Sequence, residues 1–392
     1  MSDAGDMTIG TSIPDVHSLD GRGRTFDRLE PYRWLVLPVV VFIALRIGLL
    51  LLNAVIDIPM HLSLIAQLHR WDSSWFLDAA QNGWPRHLVV VDGRAGSSTI
   101  AFFPVLPISM RWIAALTGLS PFGVGVVISG ITGLTATVAV GLLVRSYSDD
   151  RRAQQATMFF VLFPATWVFT LIYAEGIVIT ATALGLLALM KKRWLAAGLL
   201  GVLATLTAPV ALCFTVSALW CSIQAIRSER NWRSLIAPIL APLGFVGYML
   251  WLWGHTGRLD AWRVTERGGW KSTPSLTFTP HTIWAFISGP IAQNKTTDLL
   301  VIGIIVAVIG LVLAFREPQP APVFLFGLTV VLLALISQPV GLRPRFLMLA
   351  FPIVTAIGAR LRGWVYPVVL SLSGALLIGT CYFEFHSWAV FP

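Results

Sequence analysis

The sequence predicts an all-α polytopic membrane protein of about eleven transmembrane helices, and three observations carry that expectation. Of 392 residues, 56% are apolar and only 12% are charged, roughly half the charged fraction of a soluble domain. Long uncharged runs recur from Trp34 to Tyr382, and the longer ones approach the roughly 20 residues that cross a hydrocarbon core. The cations fall in the gaps between these runs, so the net charge of +9 reads as membrane topology; no nucleic-acid motif accompanies it.

The first 30 residues are polar and lack an apolar segment, which predicts a disordered cytoplasmic tail over 1–33 and not a cleaved signal. Residues 34–392 read as one transmembrane domain. Spans are expected at 34–56, 122–144, 156–173, 176–190, 194–206, 209–226, 234–254, 297–315, 322–338, 346–360 and 364–382, with a break at Thr207-Ala208-Pro209 because proline ends or kinks a helix. With the tail inside, every short inner connection carries a cation: Arg145, Arg151 and Arg152; Lys191, Lys192 and Arg193; Arg227, Arg230 and Arg233; Arg316; Arg360 and Arg362. That is the positive-inside pattern. Counting 98–118 as a crossing would invert it, so this Pro- and Arg-containing stretch is expected to be interfacial or re-entrant. Cys213, Cys221 and Cys381 lie inside spans without metal-type spacing and read as small hydrophobes.

The same threading puts the long loops 57–121 and 255–296, and a short one at 339–345, on the non-cytoplasmic side. The first contains HRWDSSWFLDAAQNGWP. On a helix, Trp71, Trp75 and Asp78 share a face, with Asp72 beside Trp75. Tryptophans favour the membrane interface, where a partly desolvated carboxylate gains proton affinity and suits general-base work; an amphipathic helix whose acids face water gives the same pattern. Glu175 stands between two apolar segments, either facing a polar cavity or marking a loop. Arg343 and Arg345 flank Pro344, a pair that would fork onto phosphate oxygens or snorkel to headgroups. Arg46 lies inside the first span and is expected to face the interior or a wet cleft. The second long loop carries RLDAWRVTERGGWK and the lone His281, a ligand or a plain loop residue. Acids and a phosphate-suited arginine pair on one membrane face point to chemistry on a lipid phosphate.

At these residues the chain resembles the membrane-embedded GT-C glycosyltransferases, in particular bacterial relatives of the second mannosyltransferase of GPI-anchor synthesis, the PIG-V family. RWDSSWFLDAAQNGW is similar to that family's first-loop motif, AFFPVLP to its Phe-Phe-Pro segment, FPATWVFTLIYAEG to its Tyr-small-Glu segment and RPRFLMLAFP to its late Arg-Pro-Arg-Phe stretch, in order from about Arg46 to Pro352. The chain departs at TLTAPVA, where an arginine is expected, and at Gly176, where serine is expected.

The resemblance implies a GT-C-like bundle that transfers a hexose, mannose first, from a polyprenyl-phosphate sugar to a lipid-linked acceptor at the non-cytoplasmic face of a bacterial plasma membrane. Carried over by residue, Asp72 is the catalytic base. Arg343, Arg345 and Arg46 hold the donor phosphate, and Asp78, Glu175, His281, Trp71 and Trp75 support them. No cofactor is required; a divalent metal is the alternative, and no ligand cluster in the sequence demands one. The competing class is a lipid or sugar transporter or flippase, which would carry repeated halves and midplane polar residues; no such repeat is visible.

Overall fold

The structure, a computed structural model, describes residues 30–60, 65, 68–91, 94–289, 295–316, 319–339 and 341–386, so nearly all of the expected tail lies outside the described residues. It is an all-α bundle of apolar helices. The first, α1 (Arg33–Met60), is followed by two loop helices, α2 (Asp72–Asn82) and α3 (Val105–Thr117), and then by α4 (Pro121–Arg145), α5 (Asp150–Val161), α6 (Glu175–Met190), α7 (Trp194–Thr205) and α8 (Cys213–Glu229). Next come α9 (Ile236–Leu240), α10 (Leu243–Thr256), α11 (Ala261–Gly269) and α12 (Phe278–Ser288). The described chain closes with α13 (Lys295–Arg316), α14 (Ala321–Leu335), α15 (Pro344–Leu349), α16 (Phe351–Arg360) and α17 (Val365–His386).

Among the described residues, five helices are long and apolar enough to cross a membrane, and a sixth crossing forms if the pair bent by 42° between Leu240 and Leu243 counts as one. Four other expected spans, at α6, α7, α14 and α16, are apolar helices of 10–17 residues, shorter than a full crossing at 1.5 Å per residue. The expected span 156–173 is not one helix: α5 stops at Val161 and the chain re-enters as a 3-10 turn, Thr166–Thr170. Pro164 accounts for this, because proline removes a donor and turns its predecessor away from helical backbone. Proline also divides 346–360, since Pro352 opens α16 after the break at Ala350. The expected break at Pro209 is present as a short 3-10 turn before α8. Segment 98–118 forms a 3-10 turn and the 13-residue α3.

Large apolar side chains such as Leu51, Leu116, Leu276 and Leu372 are more than half exposed, as the lipid-facing surface of a membrane bundle requires, while Phe160, Phe169, Tyr173, Phe214 and Phe351 form the buried centre. All three cysteines are free thiols. Helices α4 and α6 run side by side and touch where Gly176 meets the backbone of Thr132 and Gly133; a Cβ there would lie 2.6 Å from the Thr132 carbonyl carbon and 2.7 Å from the Gly133 nitrogen. Only glycine fits this approach, which explains why serine is absent from the position. Close crossings at small residues are how membrane helices gain packing without a hydrophobic drive. A two-residue pairing of Thr273–Pro274 with Ser337–Gln338 ties the second long loop to the segment before Arg343.

Candidate functional site

Three residues far apart in the chain meet at one end of the bundle. Asp72 is the first residue of α2, Glu175 the first of α6, and Arg345 the second of α15. Arg345 Nη1 donates to Asp72 Oδ2 at 2.6 Å, and its Nε donates to Glu175 Oε1. The guanidinium also lies 4.4 Å from the centroid of the Tyr173 ring and 5.4 Å from that of Phe346. Side-chain exposure is 14% for Arg345, 23% for Asp72 and 6% for Glu175, so the charges are largely removed from water and compensate one another. Glu175 Oε2 is buried without a hydrogen-bond partner among the described residues, an acceptor held ready beside the pair.

The backbone around Asp72 is built to hold it. Trp71 has φ 56° and ψ −134°, a region L-residues rarely adopt and one that costs on the order of 1–3 kcal/mol. Neighbours fix the turn: the Ser74 hydroxyl donates to the Trp71 carbonyl at 2.7 Å, and the Ser73 hydroxyl accepts from the Ile172 amide at 3.2 Å, which joins α2 to the segment leading to Glu175. At the far end of α2, Arg111 of α3 donates to the carbonyls of Ala80 and Ala79 at 2.7 and 3.2 Å, a cation on the negative end of the helix dipole. Trp71 and Trp75, expected at the interface, turn inward. Trp71 packs on the main core, and Trp75 stacks on Phe102 with centroids 6.1 Å apart and meets Trp270 edge-on at 5.5 Å.

The other expected site residues lie outside this trio. Asp78 accepts from Asn82 at 2.7 Å in an exposed local pair. His281 is exposed on α12. Arg343, the residue before Pro344, stands at the N-terminus of α15 and donates to the Pro339 carbonyl at 3.5 Å. Arg46 is buried, as expected of a cation facing the interior, donates to the carbonyl and hydroxyl of Thr166, and lies over the Phe42 ring at 5.0 Å; it braces α1 against the 166–170 turn. Among the described residues, no group of three or more His, Cys, Asp or Glu side chains is placed to hold a metal ion, and the position between Asp72 and Glu175 is filled by the Arg345 fork.

One acid was overlooked in the sequence. Glu266 on α11 lies near enough to Asp72 to feel its charge, and burial first and that charge second push its carboxyl up to about 7. Its signal was its spacing: Glu266 sits four residues from Trp262 and four from Trp270, one helical turn each way, so it shares a face with aromatics.

No protein-family model and no curated protein matches the chain. The fold, however, is similar to a solved one. The crystal structure of ArnT from Cupriavidus metallidurans bound to undecaprenyl phosphate superposes with a TM-score of 0.52 at 14% identity over 87% of this chain. The chain spans 62% of the length of that protein. The architecture is thus an all-α polytopic membrane bundle with a fold similar to that of ArnT.

Proposed function

We propose that the chain is an inverting glycosyltransferase that moves a hexose, mannose first, from a polyprenyl-phosphate sugar to a lipid-linked acceptor at the non-cytoplasmic face of the membrane. The observation that carries the reading is the Asp72–Arg345–Glu175 cluster: a base and a guanidinium fork, shielded from water, at one end of a bundle whose similar fold in ArnT was solved with undecaprenyl phosphate. Three of the four segments that resemble PIG-V motifs carry Asp72, Glu175 and Arg345.

In the proposed step Asp72 takes the proton of the acceptor hydroxyl as that oxygen bonds to the anomeric carbon, and the bond from that carbon to the phosphate oxygen breaks with its electron pair. A phosphate leaving group needs positive charge more than a proton, and Arg343 and Arg345, on the same turn, supply it. Glu175 competes with the phosphate for Arg345 and so orients the fork before the donor arrives. Sidedness rests on the cation-rich turns: α6, about 24 Å long at 1.5 Å per residue, separates Glu175 from the Lys191–Arg193 turn, and Arg152, Arg316 and Arg360 line one cleft. The test is incubation of the purified protein with labelled polyprenyl-phosphate mannose and total host lipid. Label in a new glycolipid is expected, and its absence in Asp72→Asn; movement of intact donor across a vesicle bilayer without transfer would establish the transporter class instead.

A further inference from the structure

A second concentration of charge lies where α4, α13 and α16 end and α5 begins. Two adjoining clefts open there. One, of about 420 Å³, is lined by Arg151, Arg152 and Arg362; the other, of about 360 Å³, is lined by Arg152, Arg316 and Arg360. Arg152 and Ala359 line both, so Arg152 stands between two lobes of one basin. Among the described residues the lining holds five arginines and a single carboxylate, Asp149. That carboxylate is engaged on α5 itself, where it accepts from the Arg152 amide at 2.8 Å and stands 3.6 Å from Arg152 Nε. The neighbouring Asp150 pairs with Arg145, which lines neither lobe.

Helix capping explains only part of this charge. Arg316 and Arg360 end α13 and α16, and Arg360 donates to the Ala356 carbonyl at 3.4 Å, so both suit the negative end of a helix dipole. Arg151 and Arg152 sit instead in the first turn of α5, at the positive end, where a cation is unfavourable. Like charges drawn from three helices also repel across the basin. An anion seated between them offsets both costs. The floor beneath is rigid: Tyr147 and Ala359 pack on the core around Trp34 and Val144, and a Cβ on Gly358 would stand 2.9 Å from the Gln155 carbonyl oxygen and 3.0 Å from the Ala156 Cα. Helices α5 and α16 therefore meet backbone to backbone under the arginines. The flanks are apolar. Phe315, beside Arg316, is 79% exposed and Trp364, two residues after Arg362, is 76% exposed, and exposed tryptophan favours headgroup depth.

We propose that this basin binds the headgroup of an anionic lipid carrying two phosphates, one in each lobe, with Arg152 shared between them. Guanidinium forks match phosphate oxygens, and basic pockets between membrane helices recognise such headgroups. Each lobe, at 360 to 420 Å³, falls in the size range of small-ligand pockets, and the apolar flanks receive the acyl chains. None of these residues takes part in the transferase step, so the site stands or falls independently of that reading.

The test is native mass spectrometry of the purified full chain, released from detergent micelles after titration with tetraoleoyl cardiolipin, with dioleoyl phosphatidylglycerol at matched total phosphate, or with inorganic pyrophosphate. The wild type is expected to hold cardiolipin about tenfold or more tighter than either, because the second phosphate adds charge-assisted hydrogen bonds and the chains add burial. Arg152→Gln is expected to lose about tenfold or more of that affinity, and Arg152→Lys, which keeps the charge without the fork, to lose less. Arg316→Gln, exposed at the end of α13 where substitution costs little stability, is expected to weaken binding by a similar factor. Arg227→Gln removes the same charge from another turn and is expected to leave affinity unchanged. Equal affinity for phosphatidylglycerol, wild-type binding by both Arg152→Gln and Arg316→Gln, or an equal loss in Arg227→Gln overturns the proposal and leaves the arginines to topology. Displacement of cardiolipin by pyrophosphate at equal concentration overturns the lipid assignment and makes the basin a site for free phosphate.

Discussion

Replacing Arg345 by alanine tests whether the cluster is a single electrostatic unit. The substitution leaves two carboxylates without their shared counter-ion, one 6% and one 23% exposed. Removing one partner of a buried pair costs about 3–5 kcal/mol; the better hydrated Asp72 contributes the smaller share, and the lost contact with the Tyr173 ring adds about 0.5–1 kcal/mol. The expected loss is therefore about 4–6 kcal/mol, mostly from Glu175. Equilibrium unfolding in mixed micelles of the wild type, Arg345→Ala, Glu175→Gln and the double variant forms the cycle. Glu175→Gln in the Arg345→Ala background is expected to recover about 2 kcal/mol, because it removes the stranded charge. Arg345→Lys should fall between the extremes, since a point charge cannot serve both acids with a planar fork. A coupling energy below about 0.5 kcal/mol, within ordinary additivity, would refute the reasoning and make the cluster a set of solvated neighbours.

Three further outcomes follow from particular residues. Asp72→Asn is expected to fold and bind donor but to lose about a hundredfold to ten-thousandfold in turnover, while Asp78→Asn stays close to wild type; the reverse pattern in a single-turnover assay would assign the base to Asp78. Gly176→Ala, whose Cβ meets backbone atoms of α4, should cost about 1–3 kcal/mol through overpacking, read as a lowered unfolding midpoint, and an unshifted midpoint would show that the helices separate freely. In a background without Cys213, Cys221 and Cys381, an impermeant thiol reagent applied to intact cells should label cysteine at Asp78 and leave cysteine at Lys191 untouched; labelling at Lys191 would invert the topology.

The apolar runs made the bundle readable because lipid-facing and buried helices are both hydrophobic, but the same uniformity hid where helices stop. Pro209 stood out between two short runs, whereas Pro164, Pro242 and Pro352 sit in continuous apolar sequence and mark breaks only once the backbone is seen. Asp72, Glu175 and Arg345 were readable as a set because a single threading puts all three on one side. Their ion pairs were not, since sequence gives no measure of which of two nearby arginines has the reach. Arg46 was readable as an inward-facing cation, but its partner is largely a backbone carbonyl at Thr166, which has no sequence signature. Glu266 was passed over among Arg263, Arg267 and Lys271, which suggest a solvated helix; the tertiary contact of Trp270 with Trp75 turns that face inward.

The bridge between Asp72 and Arg345 closes a loop of 273 residues, and Glu175 joins it across 170. During synthesis both acids therefore enter the membrane long before their counter-ion exists. Until α15 arrives, the early helices hold two unmatched carboxylates near one another, and that half-built state is less stable than the finished one. Completion of the late turn thus acts as a latch on the whole bundle, and a chain that stops short of it lacks the guanidinium of the cluster and carries a standing electrostatic defect that cellular quality control can recognise.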